Sequence, residues 1–306
     1  MSELARLSSE IYDLLDRASL LLRDRLSQVS IPTHVHSDDQ LEERYRRVAL
    51  AMLSFACYSA ASTMRVLVRS EVTLQLPTLL RQQFESAVTA VYIEIVNPKK
   101  AQDFILLDAF ERLDLSREAD LSAERRASIE AECRETLQAY PDLIRRPKNG
   151  QEILAGKLPI DAKVFKAVRD KLDFPDVRSM VEALQKTEAG FSGSLYTIGF
   201  RFGSLTGHPN IIALRRLFDG WDGTGSPALN LDLGEPGAPD FVLQGLSFVI
   251  GLGHMLDNAN GAAAEQRNDW TEIETEHVAL IARLHALDNE RRAVPPTKLP
   301  SDNIDL

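Results

Sequence analysis

The sequence predicts an all-α protein, an antiparallel helical bundle with an inserted charged helical hairpin and one short β element. Three observations carry this expectation. Apolar residues recur at helical spacing through most of the 306 residues. No alternation of strands with helices suggests a parallel sheet. No repeat of solenoid length stands out. Residues 1–292 read as a single helical domain, with 97–175 as a candidate inserted subdomain and 293–306 as a flexible tail.

Hydrophobic residues make up 44% and charged residues 26% of the chain, an ordinary balance for a soluble globular protein. The formal net charge of −10 opposes non-specific binding to phosphate backbones, which rests on lysine and arginine. The two cysteines, Cys57 and Cys133, lie inside helical patterns and form no disulfide or metal framework. The first helix is interrupted by charges and lacks the apolar core of a signal peptide. Segment 241–256, the most apolar, is too short to span a bilayer. The expected location is the cytoplasm, away from membranes.

Taken in order, Leu4, Leu7, Ile11, Leu14, Leu15 and Leu22 set one apolar face of a helix over about 4–26. Pro32 breaks it, and Ser37, Asp38 or Asp39 can cap the next. His34 and His36 between them form an H-x-H pair, but two histidines without further ligands make no metal site, so a solvated loop is expected. The helix over 41–70 is rich in small residues and carries a polar line through Tyr58, Ser62, Arg65 and Arg69. After Pro77, Leu80, Phe84, Val88, Val91 and Ile95 are expected to make a core face. Arg81 and Glu85 lie one turn apart at its edge, with Tyr92 further along the same line.

Asn97-Pro98 opens a charged periodic stretch, 101–140, read as an exposed hairpin able to meet a protein partner. Residues 141–175 are broken by prolines and glycines. Leu229, Leu231 and Leu233 alternate with Asn230 and Asp232, the period of a short strand. Two helices then follow, over about 239–260 and 269–292. Glu274 and His277 have the spacing of half a di-metal site, but the second half is missing. His277 shares a face with Ile273, Leu280, Ile281 and Leu284 and reads as a core-edge histidine. His254 and Asp257, one turn apart, are unspecific.

The centre of the chain is FSGSLYTIGFRFGSLTGHP, 191–209. Phe191, Leu195, Ile198, Phe202 and Leu205 form an apolar stripe, whereas Thr197, Arg201, Ser204 and His208 form a separate polar one. The apolar stripe explains a buried helix; the polar line has no packing reason. Gly207 and Pro209 should end the helix near His208, which would place an imidazole at the negative end of the helix dipole.

Nucleotide-binding glycine loops, the G-x-S-x-G elbow and H-E-x-x-H are all missing, and neither a metal nor a cofactor is expected. Arg201 and His208, with six residues between them and Ser204 in the same line, resemble the R-x(4–6)-H signature of the HEPN superfamily of helical domains. That resemblance implies a metal-independent ribonuclease of a bacterial defence or toxin–antitoxin system, with the Arg and His of two protomers meeting across a dimer cleft. Catalytic roles would fall to Arg201, His208 and Ser204, and the ligand would be an RNA or nucleotide.

A second resemblance spans about 41–208. LLRQQFESA together with Tyr196, Ser204 and His208 is similar to a bacterial family of helical proteins of unknown function. It implies that Arg81, Glu85, Ser204 and His208 form one polar cluster, with Tyr92 and Tyr196 as substrate-binding or supporting groups. The alternative reading is a non-catalytic interaction module in which an Arg–Glu–His cluster sets the register of packed helices.

Overall fold

The computed structural model describes residues 2–32, 37–73, 75–118, 121–139, 174–187, 218–219, 228–229 and 238–293. Helices dominate these residues, so the protein is all-α. They are α1 (Glu3–Ser27), α2 (Asp38–Arg69), α3 (Leu76–Val91), α4 (Lys100–Glu118), α5 (Ala123–Ala139), α6 (Val177–Leu184), α7 (Ala238–Ala259) and α8 (Ala264–Ala293). A π-helical turn, Tyr92–Val96, continues α3. Phe218 and Asp219 pair antiparallel with Leu229 and Ala228, a contact of two residues a side that is too short to form a layer. Leu231 and Leu233 lie outside the described residues.

The chain divides into two compact units. The first comprises Met1–Arg25, Cys57–Gln83 and Phe202–Leu306, the second Leu26–Ala56 and Phe84–Arg201.

In the first unit the apolar stripe of α1 is buried at Leu7, Ile11, Leu14, Leu15 and Leu22, joined by Ala18, whereas Leu4 in the first turn is only half-buried. Helices α7 and α8 pack together, and close approach depends on glycine. A Cβ at Gly253 would overlap the indole of Trp270, and one at Gly245 would meet the Gln83 amide. The buried thiol of Cys57 is pushed up from its ordinary pKa by burial, partly offset by a hydrogen bond with Gln83. It is a packing group with no reactive thiolate.

Ion pairs line both flanks of α1. Arg65 reaches Asp16 at 2.6 Å and Arg69 reaches Asp13 at 3.2 Å as well as Asp16. Arg17 pairs with Glu276, and Arg283 with Glu10. Burial pushes the Asp16 carboxyl up, but the two guanidiniums more than offset it and leave it below the ordinary carboxylate range. The lower end of the polar line on α2 is therefore a ladder to α1.

Both α2 and α7 end in the same left-handed turn. At α7 the Ala262 N–H donates to Asp257 O at 2.8 Å around Gly261, φ 64°. At α2 the Val72 N–H donates to Leu67 O at 3.1 Å around Glu71, φ 57°. Glycine takes this conformation freely, whereas an L side chain there costs roughly 1–2 kcal/mol.

In the second unit, Tyr45, Leu50 and Leu53 of α2 are buried, as are Phe84, Val88, Tyr92 and Ile93. Helix α6, capped by the Asp176 carboxylate accepting from the Ser179 N–H at 2.7 Å, packs on the π turn and buries Met180, Val181 and Leu184. Helices α4 and α5 pack on each other, and α5 is exposed through most of 122–132.

Two expectations need correcting. Ile95, read as core, is 53% exposed, and Val91 is only half-buried. The wide π turn advances the chain by an extra residue, so Tyr92 and Ile93 enter the core instead. Segment 241–256 sits within a 22-residue helix, because 238–240 and 257–259 extend it at both ends. By length and composition α7 and α2 are each long and apolar enough to cross a membrane; 67% of the apolar window in α7 and 39% of that in α2 is buried within the protein.

Candidate functional site

Of the seven residues that the sequence singles out, three are described, all on α3 and its extension. Pro77 lies in the first turn of α3, where a missing N–H loses no intrahelical bond. Leu76, Leu80, Phe84 and Val88 bury the inner face. Arg81 and Glu85 are both half-buried at its edge, one turn apart. Tyr92 begins the π turn and is 8% exposed, deeper than an edge position. Tyr196, Arg201, Ser204 and His208 lie outside the described residues, as do His34 and His36.

The π turn also carries Glu94, which sequence reading missed. Its carboxylate pairs with Arg46 of α2, which reaches Glu43 at 3.3 Å. The Glu94 contact raises the Arg46 pKa above its ordinary value, and Arg47 binds Glu43 at 2.7 Å. The Glu43–Arg46 and Glu43–Arg47 spacings are readable as helix pairs; the Glu94 partner, 48 residues along, is not. Irregular π turns recur where proteins place functional groups. This one puts a buried tyrosine and a paired glutamate next to the Arg81–Glu85 helix.

A second charged cluster sits in the first unit, where α1, α7 and α8 meet. Arg25 approaches Asp257 at 2.8 Å and Asp269 at 2.7 Å, and donates to the Gln266 carbonyl at 2.8 Å. The side chains of Arg25 and Asp257 are 7% and 1% exposed. Burial pushes the Asp257 carboxyl above its ordinary pKa, and the Arg25 charge pulls it back only in part. Neither Asp257 oxygen makes a well-directed hydrogen bond among the described residues, so charge rather than geometry holds the pair. Arg25 and Asp257 are enclosed and Asp269 reaches solvent, so the cluster ties α1 to α7 and α8.

Ser247, His277 and Glu274 have the residue types of a nucleophilic triad, but their hydrogen bonding does not fit one. His277 Nε2 lies 2.8 Å from Leu243 O and 3.5 Å from Ser247 Oγ. A carbonyl only accepts, so Nε2 carries the proton and has no lone pair for Ser247. Glu274 instead faces His254 at 3.4 Å, and the His254 ring lies beside Trp270. Among the described residues no group of three or more His, Cys, Asp or Glu side chains could hold a metal ion.

Burial lowers the His277 pKa below its ordinary 6.5, against smaller opposing effects of Leu243 and Glu274. The unfolded chain then takes up its proton near pH 6.5 and the native protein only at lower pH. Stability should fall as pH drops below about 6.5, by at most about 1.4 kcal/mol per pH unit. Urea denaturation between about pH 7 and about pH 5 should show this slope. His277→Gln, which keeps a donor for Leu243, should flatten it.

The same unit carries an open groove of about 490 Å³, lined by Leu4, Ala5, Ser8, Ser9 and Tyr12 of α1, by Val68, Arg69, Glu71 and Thr73 around the end of α2, and by Ala238 and Pro239 of α7. Burial raises the Tyr12 hydroxyl pKa.

A family model for proteins of unknown function matches residues 47–225, more than half of the chain. No curated protein and no solved structure matches it.

Proposed function

The chain belongs to DUF5677, a family of unknown function, and from that premise we propose that it is a HEPN-like, metal-independent endoribonuclease of a bacterial defence or toxin–antitoxin system. The observation that carries the reading is the Arg201–x6–His208 spacing with Ser204 in the same polar line. All seven candidate residues fall inside the matched span, on a chain that is all-α.

His208 would take the proton of a ribose 2′-hydroxyl as its oxygen attacks the neighbouring phosphorus. The P–O5′ bond then breaks as O5′ takes a proton, from the protonated His208 of the second protomer or from water, leaving a 2′,3′-cyclic phosphate and a 5′-hydroxyl. Arg201 would stabilise the charge gathering on the phosphoryl oxygens, and Ser204 would hydrogen-bond one of them. Arg81, Glu85, Tyr92 and Tyr196 would line the substrate side, with the Arg81–Glu85 pair orienting His208. The proposal places the protein in the cytoplasm as a homodimer, in an antiparallel bundle with α4–α5 as the inserted hairpin and a short β element near 218–229.

The test is incubation of a labelled mixed RNA pool with the purified protein in EDTA. Cyclic-phosphate ends are expected, with a loss of about 10²–10⁴-fold in rate for His208→Ala. Folded protein that leaves the pool intact, or a variant as active as wild type, would overturn the reading.

A second reading, a non-catalytic interaction module, is favoured by one feature. Helix α5 exposes charged side chains such as Glu124, Arg125 and Arg126 around its circumference, the surface of a helix that meets a partner or solvent rather than a core.

A further inference from the structure

We propose that the groove between α1, the end of α2 and the start of α7 binds an extended peptide carrying a lysine or arginine between apolar residues, with Glu71 as its counter-ion. Its α1 and α7 walls lie outside the segment matched by the family model.

The groove holds about 490 Å³, within the range of ligand sites, and it is open, which suits a chain segment laid along it. Leu4, Ala5, Val68, Ala238 and Pro239 supply an apolar wall, Tyr12 an aromatic one, and Ser8 and Ser9 bring hydroxyls, groups able to hydrogen-bond a peptide backbone. Aromatic rings beside apolar walls receive extended, proline-compatible segments.

Charge decides what such a segment must carry. Arg69 lines the groove, but its guanidinium is met by Asp13 and Asp16. Glu71 has no ion pair or hydrogen bond from its carboxylate to another described residue. Among the described residues the lining therefore presents one uncompensated negative charge, the exposed Glu71 carboxylate, which attracts a cation carried by a segment lying on the apolar wall.

The backbone supplies an independent argument. Two helices of this chain end in the same left-handed turn, and α7 uses Gly261 there whereas α2 uses Glu71. Glycine would relieve the strain at 71, so the glutamate side chain is held at a cost to folding. A strained residue lining a groove is the pattern expected of a binding group.

The experiment uses the full-length protein on an array of randomised octapeptides with a fixed central Lys, Arg, Ala or Glu, read by bound label. At least tenfold more binding to the Lys and Arg series than to the Glu series is expected. Glu71→Gln should abolish that preference. Glu71→Gly should abolish it while raising Tm, which a merely structural glutamate would not combine with a binding defect. Equal binding to all four series, or a preference that survives in Glu71→Gln, would overturn the proposal.

Discussion

Asp257→Ala should destabilise the protein by about 3–5 kcal/mol, the cost of leaving a buried charge without its partner. Arg25 is 7% exposed and would keep only the Gln266 carbonyl and Asp269, a carboxylate that is itself 54% exposed. Urea denaturation near neutral pH gives the value directly. Replacing both members together, Arg25→Met with Asp257→Leu, should cost much less than the single change, because desolvation of the pair consumes most of its attraction. A double variant as unstable as Asp257→Ala would mean that the pair stabilises the fold on its own account.

Gly253→Ala should cost about 3 kcal/mol, the upper end of the usual range for an overpacked core. The added methyl would overlap the indole ring of Trp270, which is fully buried and cannot turn outward without opening the α7–α8 contact. Trp270→Leu alone should also be costly, by about 3 kcal/mol, since it empties part of the space the ring fills. The two changes together should cost clearly less than their sum, because the smaller side chain makes room for the methyl. Additive losses would show that Gly253 matters for another reason.

The helices themselves were legible because their apolar residues recur at the right period. The stripe of α1 emerges buried from Leu7 to Leu22 with Leu4 half-buried at its start, and His277, read as a core-edge residue, lies buried. Helix boundaries shifted by a few residues, as at the start of α8. The π turn was not legible, since nothing in YIEIV signals the extra residue that turns Ile95 outward and Tyr92 inward.

The polar residues divide differently. Arg81 and Glu85 were visible as a pair one turn apart, because local spacing on a helix is a sequence property. Arg65 and Arg69 were visible only as an unexplained line on α2; their partners Asp13 and Asp16 sit about fifty residues earlier. Arg25 with Asp257 and Arg46 with Glu94 were not visible at all. By itself the sequence determined the helical class, the main apolar faces and the Arg201–His208 spacing on which the function reading rests. Only the tertiary structure decided which charges meet, where glycine admits an indole, and that Glu71 lines a groove. Helical periodicity is written within a single turn or two of chain, whereas a partner across the core is chosen by packing among segments far apart in sequence.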